Sequence, residues 1–209
     1  VVVAAPTRIF TQIAKDALPA SYIERYAGPN SVEHYGAHCV VLSLKKRFFE
    51  EKLHNTYWLN VNDPGYPFLA AVEHTNFMPT EEYDGQHLMY LGNYLPMDHA
   101  LFGKSDEEVL AEFLPHLKRI NPDFEPDWVV KSWIWKTGYA QPIVTLDYPT
   151  KLPPHETPIP NVYLANMAHV YPQDRGQNYS IKLGEKIAVM LGEAPKTGTP
   201  PVERGQVKV

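Results

Sequence analysis

The sequence has a single cysteine, Cys39, in 209 residues. One thiol excludes an intrachain disulfide, and with it the class of small secreted domains held together by disulfides. It fits a reducing compartment, and the cytoplasm is the expected location. No run approaches the roughly 20 apolar residues that a membrane-crossing helix needs. Positive charge is not in excess either. Lys and Arg total 19 against 24 Asp and Glu, a net charge of −5, so the chain offers no basic footprint for nucleic acid. Three nucleotide- or nucleophile-bearing signatures are missing: no Gly-x-Gly-x-x-Gly turn, no P-loop and no Gly-x-Ser-x-Gly elbow.

Proline is abundant. The chain carries 20, about twice the usual ~5% share. With 44% hydrophobic and 21% charged residues the composition is globular, and proline on that scale favours strands joined by rigid turns over a helical bundle. The length suits one large domain or two small ones.

Hydrophobic patterning gives the elements. Val1–Pro6 (VVVAAP) is short, β-branched and apolar, the pattern of a strand buried in a parallel sheet. It is either an ordinary first strand or a strand of a domain lying mostly outside this chain. Apolar residues from Ile9 to Ala17 recur at helical spacing after Thr7, and a second short helix is expected at Ser21–Tyr26. Strands are expected at His38–Leu44, Tyr57–Val61, Phe68–His74 and His87–Tyr94, separated by turn residues and therefore antiparallel, and the alternation of Trp128–Lys136 predicts a further strand. Ser105 and Glu108 form a capping box ahead of the apolar stripe Val109, Leu110, Phe113, Leu114 and Leu117, with Pro115 inside it as an expected kink. A proline-rich loop follows at 149–160, then a short strand at Val162–Ala165 and a last helix over Asp174–Leu191. The tail from Ala194 to Val209 is expected to fray.

Several clusters are candidates for chemistry. Glu73, His74 and Asn76 close an apolar strand, where side chains often face a cavity, and they are expected to line a substrate site. In a regular strand Glu73 and His74 point to opposite faces. Trp133, Trp135, Lys136 and Tyr139 form an aromatic and basic cluster in which core packing is the expected role of the tryptophans, with Trp135 a substrate-lining candidate. Tyr171 and Arg175 flank the start of the last helix. His34, His38 and Cys39 would converge on a metal only if helical, and His38-Cys39 opens a strand, so no metal site is expected. Cys39, next to Val40, Val41 and Leu42, is expected to be buried and inert.

The stretch Asn161–Gly192 (NVYLANMAHVYPQDRGQNYSIKLGEKIAVMLG) leads from strand to loop to helix, with the helix entered at Arg175-Gly176-Gln177-Asn178. It resembles the C-terminal flavin-contacting segment of the FAD-dependent amine oxidase and protoporphyrinogen oxidase-like family. The likeness extends to VVVAAP at the start and, through the middle, to YWLN, PFLAAVEHTNF, YLGNY and AQPIV. It implies that Gly176, Gln177 and Asn178 approach the pyrimidine edge of the flavin. There a helix N-terminus stabilises the negative charge of the reduced ring. It also implies that Asn166 and Met167 lie beside the ribityl chain, with Arg175 nearby. Many family members carry Gly followed by Asp or Glu where Asn166-Met167 stand here.

Because the dinucleotide-binding turn is missing, the resemblance implies the C-terminal portion of a larger FAD-dependent oxidoreductase, with FAD bound weakly or not at all by this chain alone. The expected fold is α+β: a mixed, largely antiparallel sheet of about five to seven strands covered by helices. The expected division is a remnant of the FAD-binding domain at 1–18, a substrate-binding domain at 19–160, the FAD-contacting strand–loop–helix at 161–192 and a flexible tail at 193–209. The implied activity is hydride transfer from a small-molecule substrate to flavin, and no catalytic side chain is singled out. A flavin-dependent nucleotide-sugar mutase and a non-catalytic small-molecule binding module remain open. The implied partner is an N-terminal FAD domain, and self-association follows if its place is left uncovered.

Overall fold

The computed structural model describes residues 1–192, so the expected tail lies outside the described residues. The chain divides into two compact units: Glu33–Ile143, and Val1–Val32 together with the chain from Val144 on.

The unit Glu33–Ile143 is built on a five-stranded antiparallel sheet. Its strands are β2 (His34–Leu44), β3 (Trp58–Asn60), β4 (Ala70–Glu73), β5 (His87–Leu95) and β6 (Val129–Pro142), in the order β3-β4-β5-β2-β6. β2 starts four residues before the expected position. That extra length is why β6 runs on to Pro142: His34 pairs with Pro142 and Tyr35 with Gln141. Strand alternation puts Val40, Leu42 and Leu44 on one face with Ala71, Met89 and Leu91. Helix α3 (Asp106–Ile120) covers that face with Val109, Phe113 and Leu117. The capping box at its start is formed, and the helix is continuous through Pro115. A Cβ at Gly36 would come within 2.4 Å of the tip of the Phe102 ring and 3.0 Å of Thr137 O, so the glycine lets that ring pack against β2. Pro64, Pro67, Pro79, Pro96 and Pro122 lie between elements, where a missing N–H costs no ladder bond.

The other unit carries β1 (Val2–Val3), α1 (Thr7–Ile13), α2 (Ala20–Ala27), α4 (Tyr148–Lys151), β7 (Tyr163–Leu164) and α5 (Gln177–Met190). β1 and β7 form a separate two-stranded parallel sheet, so the parallel and antiparallel pairings do not share one mixed sheet. Phe10, Leu18, Tyr22 and Leu164 make its core. The expectation of a fully buried first strand is corrected: Val1 and Val2 are exposed, because β1 has only β7 beside it among the described residues. The proline-rich loop is interrupted by α4, and α5 starts at Gln177 with Gly176 as its N-cap.

Candidate functional site

The sheet of the Glu33–Ile143 unit has α3 on one face and side chains open to solvent on the other. Three ladder rows cross the open face. Trp58 pairs with Val72, Val72 with Tyr90, Tyr90 with Val41 and Val41 with Trp133. One step along each strand on the same face, Asn60 pairs with Ala70, Ala70 with Gly92, Gly92 with Cys39 and Cys39 with Trp135. In the third row Tyr94 pairs with Ala37 and Ala37 with Thr137. Ala70, Gly92 and Cys39 at the centre of the middle row are small, so the larger side chains around them leave a hollow of about 530 Å³ above. That volume is in the range of small-molecule sites. Trp58 and Trp135 are 55% and 65% exposed, far more than core tryptophans.

Hydrogen bonds fix several groups around the hollow. Trp58 Nε1 donates to Asn60 Oδ1 at 2.8 Å, and the Asn93 amide donates to Pro67 O at 2.8 Å. His74 Nε2 lies 2.8 Å from the Tyr83 hydroxyl, with its ring edge-on to Tyr83 and Tyr90. Burial pushes the Tyr90 hydroxyl up from its ordinary pKa, helped by nearby Tyr83. Cys39 is half-buried on the open face, and burial raises its thiol pKa. His34 and His38, on the same strand, do not join it. His38 turns into the core, where its ring packs against Phe102 and Phe113 and burial lowers its pKa. Among the described residues no group of three or more His, Cys, Asp or Glu could hold a metal.

Of the substrate-lining candidates in this unit, His74 lines the hollow and Trp135 stands on the same face beside Cys39. Glu73 and Asn76 do not line it. Strand parity sends Glu73 to the packed face opposite Met89, where it is fully buried. Its carboxylate accepts the N–H of Phe48 at 2.9 Å and of Phe49 at 2.5 Å. Burial raises its pKa, and those two backbone bonds pull it back. The Asn76 amide donates to Phe49 O, Thr56 O and Glu73 Oε2. These two side chains clamp the strand ends. The aromatic–basic cluster also divides: Trp133 and Trp135 stand on the open face instead of packing in the core, and Lys136 turns to the other, where its Nζ donates to Lys104 O. Trp58, Tyr90, Tyr94, Cys39 and Gly92 were not expected as site residues. The signal for Trp58, Tyr90, Gly92 and Tyr94 was the alternation in YWLN and YLGNY, which fixes a face only once strand order is known, and Cys39 carried no such signal.

In the other unit, Asn166 is buried and its amide donates to Ala5 O at 3.0 Å and to Thr7 Oγ1 at 3.1 Å. Its Oδ1 accepts the Ala168 N–H at 3.1 Å. Met167 is exposed and borders a groove of about 410 Å³ with Val2, Ala4, Leu183, Gly184 and Ile187. Gly184 has no atom within 4 Å of where a Cβ would stand, so the groove reaches the α5 backbone there. Gln177 and Asn178 are exposed in the first turn of α5, whose N–H groups have no intrahelical acceptor. Arg175 and Gly176 precede them. Tyr171, joined to Pro172 by a cis peptide, lies in a smaller hollow with His169, Tyr179, Lys182 and Lys186.

His169 is held neutral. Its Nε2 donates to Pro153 O at 3.1 Å and its Nδ1 accepts the Asn166 N–H at 3.2 Å. Burial, reinforced by the His155 ring, tilted 32° with its centroid 4.6 Å away, takes its pKa down to about 4.

No curated protein matches the sequence significantly. Solved structures do match its fold. A protein from Exiguobacterium sp. 255-15 assigned as a protoporphyrinogen oxidase superposes with a TM-score of 0.63 at 14% identity, covering 91% of this chain and 40% of that one. A reduced UDP-galactopyranose mutase superposes with a TM-score of 0.63 at 14% identity, covering 93% of this chain and 42% of that one. An oxidoreductase from Methanosarcina mazei gives a TM-score of 0.61 at 16% identity, over 91% of this chain and 42% of that one. The chain thus spans about two fifths of the length of these structures. The sequence profile of the flavin-containing amine oxidoreductases aligns with residues 1–173, taking in the β1 strand, the whole sheet with its open aromatic face and the loop that leads to α5, and this chain belongs to that family.

Proposed function

We propose that this chain is the substrate-facing part of an FAD-dependent oxidoreductase that removes a hydride from a C–N or C–C bond of a small molecule. The observation that carries the reading is the division of the sheet's two faces: one is packed by α3, and the other is left open with rings around a hollow. A stable sheet does not leave large aromatics exposed in a contiguous patch without a use for them. In this reading the open face binds and orients the substrate and excludes water from it, and the unit with α5 serves the cofactor.

The residues present fit part of a flavin. Gly184 and the apolar groove beside it suit a flat ring edge or a closely packed helix, and the N–H groups of Gln177 and Asn178 suit an electron-rich edge. Bound flavin would supply the hydride acceptor. Gly176, Gln177 and Asn178 would stabilise the negative charge that reduction places on the ring, through the α5 N-terminus. Met167 would pack beside it. Asn166 would position this loop, because its amide is already committed to Ala5 and Thr7. With no Gly-x-Gly-x-x-Gly turn in the chain, the pyrophosphate would be held by a further N-terminal domain.

A nucleotide-sugar mutase is the second reading, favoured by the equally good superposition on UDP-galactopyranose mutase. A diphosphate calls for arginines. The Glu33–Ile143 unit has only Arg47 and Arg119, and neither lines the hollow. Anaerobic mixing of the flavin-loaded longer protein with candidate substrates separates the readings. Bleaching of the oxidised flavin band by substrate is expected. Isomerisation of a nucleotide sugar only after prior flavin reduction would sink the oxidoreductase reading.

A further inference from the structure

The hollow on the open face has a floor and walls that restrict its ligand. Ala70, Gly92 and Cys39 lie side by side across three strands and make the floor. Tyr90 and Tyr94 stand two residues to either side of Gly92 on β5, about 14 Å apart at ~3.4 Å per residue. Trp58 and Trp135 flank the edges. A Cβ added at Gly92 would meet no atom within 4 Å, so the space above the floor is open down to the backbone. The shape is a slot between rings.

None of the residues that line it is Asp, Glu, Lys or Arg. Strand parity explains this. Glu73 and Lys136 sit next to the slot in sequence or register and both turn to the packed face. Lys131 shares the open face but pairs with Ser43, four residues along β2 from Cys39 and about 14 Å away. The polar groups present are partly committed to one another: Trp58 Nε1 to Asn60, the Asn93 amide to Pro67 O, and His74 to Tyr83. A charged ligand entering the slot would shed water without meeting an opposite charge. A flat apolar ring would shed little and would meet ring faces and edges.

We propose that the slot takes a neutral, planar, largely apolar ring compound, in preference to a cationic amine or an anionic sugar nucleotide. This rests on the reading of the open sheet face as the substrate face.

Three naphthalenes of one shape and different charge test it at neutral pH: 2-naphthol, 2-naphthylmethylamine as the cation and 2-naphthoate as the anion. Tetramethylammonium is added as a probe for cation–π binding. Calorimetric titration of the chain is expected to give about tenfold or more tighter binding of the naphthol than of either charged ring, with little dependence on salt. Gly92→Leu places a side chain in the slot from a position where the Cβ meets no atom within 4 Å. It is expected to weaken naphthol binding about tenfold or more while leaving the thermal midpoint unchanged or raised. If a charged naphthalene or tetramethylammonium binds as tightly as naphthol or tighter, and Gly92→Leu abolishes that binding, the ligand class is overturned and the face survives as the site. Naphthol binding indifferent to Gly92→Leu, or no binding by any probe, overturns the substrate face and the proposal with it.

Discussion

Glu73 holds the backbone at Phe49, its Oε2 accepting the Phe49 N–H at 2.5 Å while Oε1 takes the Phe48 N–H at 2.9 Å. Both bonds are fully buried, and they tie the segment after β2 to the end of β4. Removing the carboxylate strands two buried N–H donors. Glu73→Ala is therefore expected to destabilise the Glu33–Ile143 unit by about 2–4 kcal/mol, and Glu73→Gln by less, since the amide oxygen still accepts one bond. Urea denaturation of both variants checks this. A Glu73→Ala protein as stable as wild type would return Glu73 to the list of groups held for chemistry.

Asn166 anchors the first residues of the chain to the loop before α5 through Ala5 O and Thr7 Oγ1. Asn166→Asp keeps the shape, but its carboxylate cannot donate and would face the carbonyl of Ala5. A loss of about 1–3 kcal/mol is expected, read as a lower thermal midpoint. A positioning role predicts that flavin affinity falls only as far as folding does. Weaker flavin binding with an unchanged midpoint would assign Asn166 direct contact with the cofactor.

Acid is expected to loosen the unit that carries α5. His169 binds a proton at about pH 4 when folded and near 6.5 when unfolded, so the unfolded chain takes up more protons between those values. Stability from keeping His169 neutral is fully present above pH ~6.5 and is lost as pH falls toward 4, by up to about 3 kcal/mol. Burial lowers His38 and His87 in the same direction in the other unit. Denaturation midpoints between neutral pH and mild acid test this. His169→Gln should flatten the part of the profile that belongs to the α5 unit, and an unchanged slope would refute the assignment.

Gly184 sits inside α5 with open space where its Cβ would be. Gly184→Ala should therefore stabilise the chain by about 0.8–1 kcal/mol, the helix-propensity gain with no steric cost. If the groove receives the flavin or a helix packed beside it, the same methyl group should weaken flavin retention in the longer protein. A gain in midpoint with unaltered flavin retention would argue that the groove stays empty.

The elements themselves were legible along the chain because each follows from neighbours within a few residues. Ser105 and Glu108 announce α3, the β-branched and apolar run HCVVLSL announces β2, and turn residues such as Asp84-Gly85 separate the strands. The family resemblance was legible for the same reason, since YWLN, YLGNY and NVYLANM are local strings. The site was not. Glu73, His74 and Asn76 are neighbours in sequence, yet one backbone step sends the Glu73 carboxylate into the core while His74 borders the hollow. Trp58, Tyr90, Cys39 and Trp135 come from four strands and share one face because of the order β3-β4-β5-β2-β6 and its register. Local patterning sets which residues alternate. Which of the two faces is then covered depends on where α3 docks, and that is a long-range packing choice worth many buried side chains.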